Sequence, residues 1–97
     1  MTYTISVRSL ASQQLQQAYD YYESQQVGLG VSFLDAFHQV LDLLQKQPFI
    51  FQIRYGNDVR AAVVKGYPYL IYYRVNEAII NVLAVFNTRQ DPQQLDL

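Results

Sequence analysis

The 97-residue chain contains no cysteine, no tryptophan and a single histidine. Without cysteine neither a disulfide framework nor a thiolate metal site can form, and His38 alone cannot build a histidine-based centre. No metal and no cofactor are expected. Long hydrophobic runs are missing too: the longest, Ala78 to Phe86, is interrupted by Asn81 and falls far short of the roughly 20 residues that span a bilayer. The N-terminal stretch Met1-Thr-Tyr-Thr-Ile-Ser-Val7 lacks the positive region and apolar segment of a secretory signal. The expected compartment is the cytoplasm, with no membrane partner. Charge is sparse as well, at 15% of residues, while 51% are hydrophobic and 14% aromatic, so a packed core is expected and disorder only at the ends. A chain of this length makes one domain, burying roughly 60 to 65% of its unfolded surface. Residues 1–97 are read as that single domain, with 92–97 a flexible tail.

The net charge of −1 hides an uneven distribution. Met1 to Gln47 carries Arg8 and Lys46 against Asp20, Glu23, Asp35 and Asp42, a balance of −2. Pro48 to Arg89 carries Arg54, Arg60, Lys65, Arg74 and Arg89 against Asp58 and Glu77, a balance of +3. The second half is therefore mildly basic. One face can meet an anionic partner without the strong field of a dedicated nucleic-acid binder; solvated charges at a sheet edge are the plainer reading.

Periodicity divides the chain into helical and extended parts. Tyr3-Thr-Ile-Ser-Val7 alternates with period two, predicting a strand with Tyr3, Ile5 and Val7 on one face. Ser9 is a candidate N-cap for an amphipathic helix to about Ser24, in which Ala11, Leu15, Ala18 and Tyr22 recur at helical spacing. Gly28-Leu-Gly30 supplies a reversal, and Phe33, Leu34, Phe37, Val40, Leu41 and Leu44 mark a second helix that stops before Pro48. The 13 glutamines are interspersed, mostly on helix outer faces, and carry no functional signal.

Beyond Pro48 the period falls to two. Phe51–Tyr55 and Val59–Val64 read as strands around a Gly56-Asn-Asp58 turn, and Gly66-Tyr-Pro68 makes the next reversal. Tyr67-Pro-Tyr-Leu-Ile-Tyr-Tyr-Arg-Val75, a turn at Asn76-Glu77 and the run Ala78–Phe86 form a tight antiparallel hairpin. Alternation sends Tyr69, Ile71 and Tyr73 to one face and Leu70, Tyr72 and Arg74 to the other. The predicted fold class is α+β in the order β-α-α-β-β-β-β, with an antiparallel helical hairpin packed on one face of a mainly antiparallel sheet. Ala78–Phe86, apolar on both faces, is expected at the centre, with the first strand returning at an edge or beside it.

The PYLIYYRV-like strand, short turn, IINVLAV-like strand and final Arg89-Gln-Asp-Pro92 together resemble the C-terminal half of RelE/ParE-family toxins, the plasmid-stabilisation proteins of bacterial type II toxin–antitoxin pairs. The first helix (Ala11, Leu15, Tyr19, Tyr21), the Phe-rich second helix with its Leu44 and Pro48 stop, and the Val59-Arg60 strand follow the family order over roughly Ser9 to Pro92. The resemblance implies a two-layer RelE/ParE-like fold and a growth-inhibiting cytoplasmic toxin neutralised by a cognate antitoxin. Family members either cut mRNA on the ribosome or inhibit DNA gyrase without nuclease chemistry.

Metal-free RNA cleavage needs a base, an acid and a cation at the phosphate. Arg60, Arg74 and Arg89 supply cations, and Tyr73 is the candidate acid or base, provided that neighbouring arginines lower its pKa from about 10. His38 sits beside the apolar stripe of the second helix, Asp58 and Glu77 fall in turns, and Phe86-Asn87 stands where many relatives have a histidine. With a pI near 5.6, approach to RNA is also unfavourable. Action by binding a protein target such as DNA gyrase, with Arg60, Arg74, Tyr72 and Arg89 as the partner-binding residues, is the favoured expectation. An mRNA endoribonuclease acting on the ribosome and a non-toxic binding module that kept the fold are the alternatives. The oligomeric state is left open.

Overall fold

The structure is a computed structural model that describes residues 2–97. Strand β1 (Thr4–Val7) leads into helices α1 (Ser9–Gln25) and α2 (Leu29–Lys46); strands β2 (Ile53–Tyr55), β3 (Val59–Val63), β4 (Tyr69–Asn76) and β5 (Ile79–Asn87) follow, then a 3-10 turn at Pro92–Gln94. The five strands form one sheet in the order β1-β5-β4-β3-β2. β1 runs parallel to β5, and all other neighbours are antiparallel. A crossover through two helices brings the first strand back beside the last, so β1 lies both at an edge and next to β5. The geometric centre is β4 rather than Ala78–Phe86, although β5 is interior and paired on both sides.

The helical hairpin covers one face. Ala11 and Ala18 of α1 and Phe33, Phe37, Val40 and Leu44 of α2 pack with Ala62, Ile71, Tyr73, Ile80, Val82 and Val85 of the sheet. Phe33, Leu44, Ile71, Tyr73, Ile80 and Val82 have no exposure at all. Of the predicted apolar stripes, Ala11, Ala18, Phe33, Phe37, Val40 and Leu44 are buried and Leu15, Tyr22 and Leu41 pack against them part-buried, because a helix in a small domain is stable only where its apolar face is removed from water; Leu34 lies outside the core cluster. Of the predicted strand face, Tyr3 and Ile5 pack against this core, whereas Val7 is exposed.

Local details differ from the sequence reading where tertiary contacts intervene. The N-cap of α1 is Arg8, with no side-chain capping bond, rather than Ser9. The Arg8 amide extends the parallel ladder by donating to the Val82 carbonyl at 2.9 Å, so the chain passes directly from strand to helix. Gly28 does provide the reversal, as the left-handed N-cap of α2 at φ 96°, but Gly30 lies inside α2, where it is a point of close helix approach. β2 begins at Ile53, not Phe51, since the preceding carbonyls turn toward the Arg60 guanidinium.

The β4–β5 turn is Glu77-Ala78, one residue later than Asn76-Glu77, because Asn76 still pairs with Ile79 and Glu77 takes the left-handed conformation at φ 55°. That register puts Tyr73 opposite Val82 and Val75 opposite Ile80, all toward the helices. Between Tyr72 and Tyr73 the register shifts, with Tyr72 opposite Ala84, so Leu83 is the extra residue of a bulge. The bulge lets Val82 and Val85, three positions apart, share the helix-covered face. Where β1 has ended, the Gln14 side chain accepts the Val85 amide at 2.8 Å.

Candidate functional site

Among the described residues no helix lies over the second face of the sheet, yet that face is strongly apolar. Val59 and Ala61 from β3, Tyr72 from β4 and Leu83, Ala84 and Phe86 from β5 form a buried cluster, flanked by Leu70 and Leu95. Alternation makes this face from the residues that the core leaves over, and the bulge adds Leu83. Tyr72 is its aromatic centre, with ring centroids 5.5 Å from Tyr55 and 6.3 Å from Phe86, both edge-on. Burial raises the Tyr72 pKa first of all, helped by Tyr55 and opposed by Arg54.

Leu95 packs on this cluster because the chain doubles back after β5. Asp91 caps the Pro92–Gln94 turn by accepting the Gln93 amide at 2.9 Å. Arg8 then donates to the Asp96 carbonyl at 3.0 Å and lies 3.7 Å from its carboxylate. The segment expected as a flexible tail therefore contacts Arg8 through Asp96 and the open-face cluster through Leu95. Between it and the strands lies a cleft of about 220 Å³ lined by Arg54, Tyr55, Tyr72, Phe86, Thr88 and Pro92.

The three arginines singled out in the sequence occupy three separate places. Arg60 points to the helix-covered side, donating to the carbonyls of Phe51 at 2.7 Å and Phe49 at 3.4 Å, with its guanidinium 5.1 Å from the Phe49 ring centre. Arg74 donates to the Asp58 carboxylate at 2.7 Å, near the turn end of the hairpin. Arg89 is exposed at the opposite end, beside Gln17, Tyr21, Tyr22, Pro68 and Asn87 around a cleft of about 240 Å³. Arg74 pairs with Asn81, and six residue steps of strand lead from Asn81 to the end of β5 at Asn87, about 20 Å by the strand rise. These cations are not brought around a common point.

Tyr73 has no exposure, and its hydroxyl donates to the Pro48 carbonyl at 2.8 Å. Burial pushes its pKa up to about 12; Arg60 and a Phe51 backbone hydrogen bond oppose this only in part. The arginine that was expected to lower it is engaged with backbone carbonyls, so burial dominates. Proton transfer through Tyr73 near pH 7 would have to overcome that shift and open the core. His38 is exposed on α2, edge-on to Phe37 at 5.8 Å. Among the described residues, no group of three His, Cys, Asp or Glu side chains could hold a metal ion, and no helix is long and apolar enough to cross a membrane.

Two features here had no clear sequence signal. The open-face role of Leu83 depends on a bulge, and Leu95 joins the cluster only because the chain turns at Asp91. The Asp-Pro pair was the available hint, as a turn former.

The sequence matches no curated protein at a significant level. Among solved structures, the chain is similar to one titled the chromosomal ParDE TA system from P. aeruginosa, with a TM-score of 0.78 and 16% identity over 91% of this chain and 98% of that one. At that identity the likeness concerns the fold. The family model described as the ParE toxin of the type II toxin-antitoxin system, parDE, matches residues 5–92. That match spans both layers, from β1 to the capped turn, and the chain accordingly belongs to the ParE toxin family of type II toxin–antitoxin systems.

Proposed function

We propose that this chain is the toxin of a cytoplasmic toxin–antitoxin pair, neutralised by its cognate antitoxin, and that it inhibits growth by binding a protein target, DNA gyrase, and not by cutting mRNA. The observation that carries the choice of mechanism is the dispersal of the cations combined with the state of Tyr73. Phosphate-centred catalysis needs charges preorganised around one position and an acid or base of suitable pKa. Arg60 is spent on carbonyls, Arg74 on Asp58, and Arg89 stands about 20 Å of strand away from Arg74. Tyr73 is buried with its pKa near 12.

A binding mechanism asks less of these groups. Arg89 is exposed at one end of the sheet and Arg74, paired with Asp58, is part-exposed at the other; Tyr72, expected as a partner-binding residue, is instead only 4% exposed and packed against Tyr55, and Arg60 supports the β2 side from within. Exposed charges at such positions steer an acidic partner, while the exposed ring of Tyr55, packed edge-on to Tyr72, supplies aromatic surface.

The test is inducible expression of the chain with and without the adjacent antitoxin frame, with separate readouts of mRNA integrity and gyrase supercoiling. The expected result is growth arrest relieved by the antitoxin, inhibited supercoiling by purified protein, and intact mRNA in a translation extract. Codon-dependent cleavage products that vanish with Arg89→Ala would establish the ribosomal mRNA endonuclease reading in its place. No arrest on induction would leave a binding module that kept the fold.

A further inference from the structure

β5 outruns the strand beside it. β1 ends opposite Val82, whose carbonyl accepts the Arg8 amide, so the last residues of β5 have no strand on that side. The Thr88 amide donates to the Pro68 carbonyl at 2.8 Å, on the β4 side. Amides alternate along an antiparallel strand, so those of Val85 and Asn87 point the other way, toward α1. Gln14 accepts the first at 2.8 Å. The second has no acceptor among the described residues, and it opens into the cleft of about 240 Å³ between α1 and the end of β5.

The surroundings of that amide are held in place. Both ends of the Asn87 side chain are engaged: Oδ1 accepts the Arg89 amide at 2.9 Å, and Nδ2 donates to the Tyr69 hydroxyl at 3.4 Å. This pins the turn that carries Arg89, whose guanidinium has no carboxylate partner among the described residues. Burial and then the phenols of Tyr69, Tyr21 and Tyr67 raise the Tyr22 pKa while Arg89 opposes them, which places the Arg89 charge on this side. Tyr22 is fixed by other rings, its centroid 5.3 Å from that of Phe33 and 5.1 Å from that of Tyr67. Tyr21 stands edge-on to Tyr22 at 5.3 Å and is 56% exposed. A backbone N–H, a cation and an aromatic wall therefore meet in one cleft, and no acidic residue is among those described as lining it.

These groups select the charge and size of an occupant. A carboxylate has one oxygen for the guanidinium and one for the amide, so one cation and one N–H suffice for it. A phosphate monoester carries about −1.5 to −2 charges at pH 7 and calls for a second cation, which the lining does not offer. The space is smaller than the roughly 300 Å³ at which pockets for drug-sized ligands begin, so it suits a molecule the size of an amino acid. The faces of Tyr21 and Tyr22 suit a flat ring.

We infer that this cleft binds an aromatic carboxylate, with its oxygens on Arg89 and the Asn87 amide and its ring against Tyr21 and Tyr22. Two sources share that chemistry, a free aryl acid and the C-terminal aromatic residue of another chain. The site lies on the helix side of the sheet, away from the open face, and does not depend on the toxin–antitoxin reading.

The probes are phenylacetate for the free acid and N-acetyl-L-phenylalanine for the chain end, with N-acetyl-L-phenylalaninamide and inorganic phosphate as controls. Each is titrated into the full chain and followed by amide NMR. At least one acid should saturate with a Kd of about 1 mM or tighter, and the Asn87 amide should be among the signals that shift most. The tighter acid identifies the source. Both controls should bind at least about 10-fold more weakly, and Arg89→Gln, a change at an exposed side chain, should keep the melting temperature and weaken the acid about 10-fold or more.

The inference is overturned if neither acid saturates by about 10 mM, if the Asn87 amide does not move, or if Arg89→Gln keeps full affinity. Equal binding of the neutral amide would show an apolar contact only. Equal binding of phosphate would show a general anion contact, and either result removes the assignment to an aromatic carboxylate.

Discussion

The Glu23 carboxylate lies across the start of α2, accepting the Gly30 amide at 2.9 Å, and it also takes the Gly28 amide at 3.1 Å. The cap residue Gly28 has no side chain to do this, so the last turn of α1 caps α2 from a distance. One carboxylate thereby ties the two helices of the hairpin together.

Glu23→Ala should lower stability by about 1 to 2 kcal/mol, in line with loss of a charged cap. Gly30→Ala should also destabilise, by about 1 to 2 kcal/mol, even though alanine is the better helix former. Its added Cβ would stand 2.7 Å from the Tyr19 ring and 2.9 Å from the Glu23 carboxylate, forcing both aside. Urea denaturation measures both, and a more stable Gly30→Ala would disprove the close approach.

Phe37 is 2% exposed between the helices and the sheet. Phe37→Ala should cost about 3 to 5 kcal/mol, a large share of a small domain's stability. A loss under about 1 kcal/mol would contradict its placement in the core.

Arginines 60 and 74 should behave oppositely under truncation. Arg60→Ala leaves the Phe51 carbonyl without its 2.7 Å donor and removes the support under Phe49, so a loss of about 1.5 to 3 kcal/mol is expected. Arg74→Ala breaks a half-exposed ion pair with Asp58 and should cost no more than about 1 kcal/mol. Equal losses from the two in thermal unfolding would refute the distinction.

Stability should fall at high pH through Tyr73. Its folded pKa of about 12 lies above the ordinary value of 10.0, so the folded state favours the neutral phenol. Its contribution is complete below about pH 10 and is lost as pH rises toward 12, at up to about 1.4 kcal/mol per pH unit. Tyr22 and Tyr72 are shifted the same way and add to the fall. Tyr73→Phe should cost about 1 kcal/mol at pH 7 through the Pro48 hydrogen bond, and it should flatten the alkaline limb. Denaturation at pH 8 to 11 that shows the same slope in both proteins would sink this prediction.

The sequence by itself determined the elements and their faces. Ala11, Ala18, Phe33, Phe37 and Leu44 are spaced for helices, and Tyr69, Ile71 and Tyr73 for one side of a strand; those residues are the core. Burial of apolar surface is the largest favourable term, and its periodicity is written residue by residue, so pattern and structure agree. The order of these elements also carried the family.

What only the tertiary structure decided depends on groups distant in the chain. Arg8 became a cap because Val82 took its amide, Glu23 found the amides of α2 across a turn, and a bulge at Leu83 chose which β5 residues face outward. Arg60, Arg74 and Arg89 look alike as letters, yet one holds carbonyls, one holds Asp58 and one stands free at the end of the sheet. Hydrogen bonds and ion pairs act over a few ångströms and depend on direction. No spacing rule fixes which of them close; the packed core does, by setting where each backbone comes to rest.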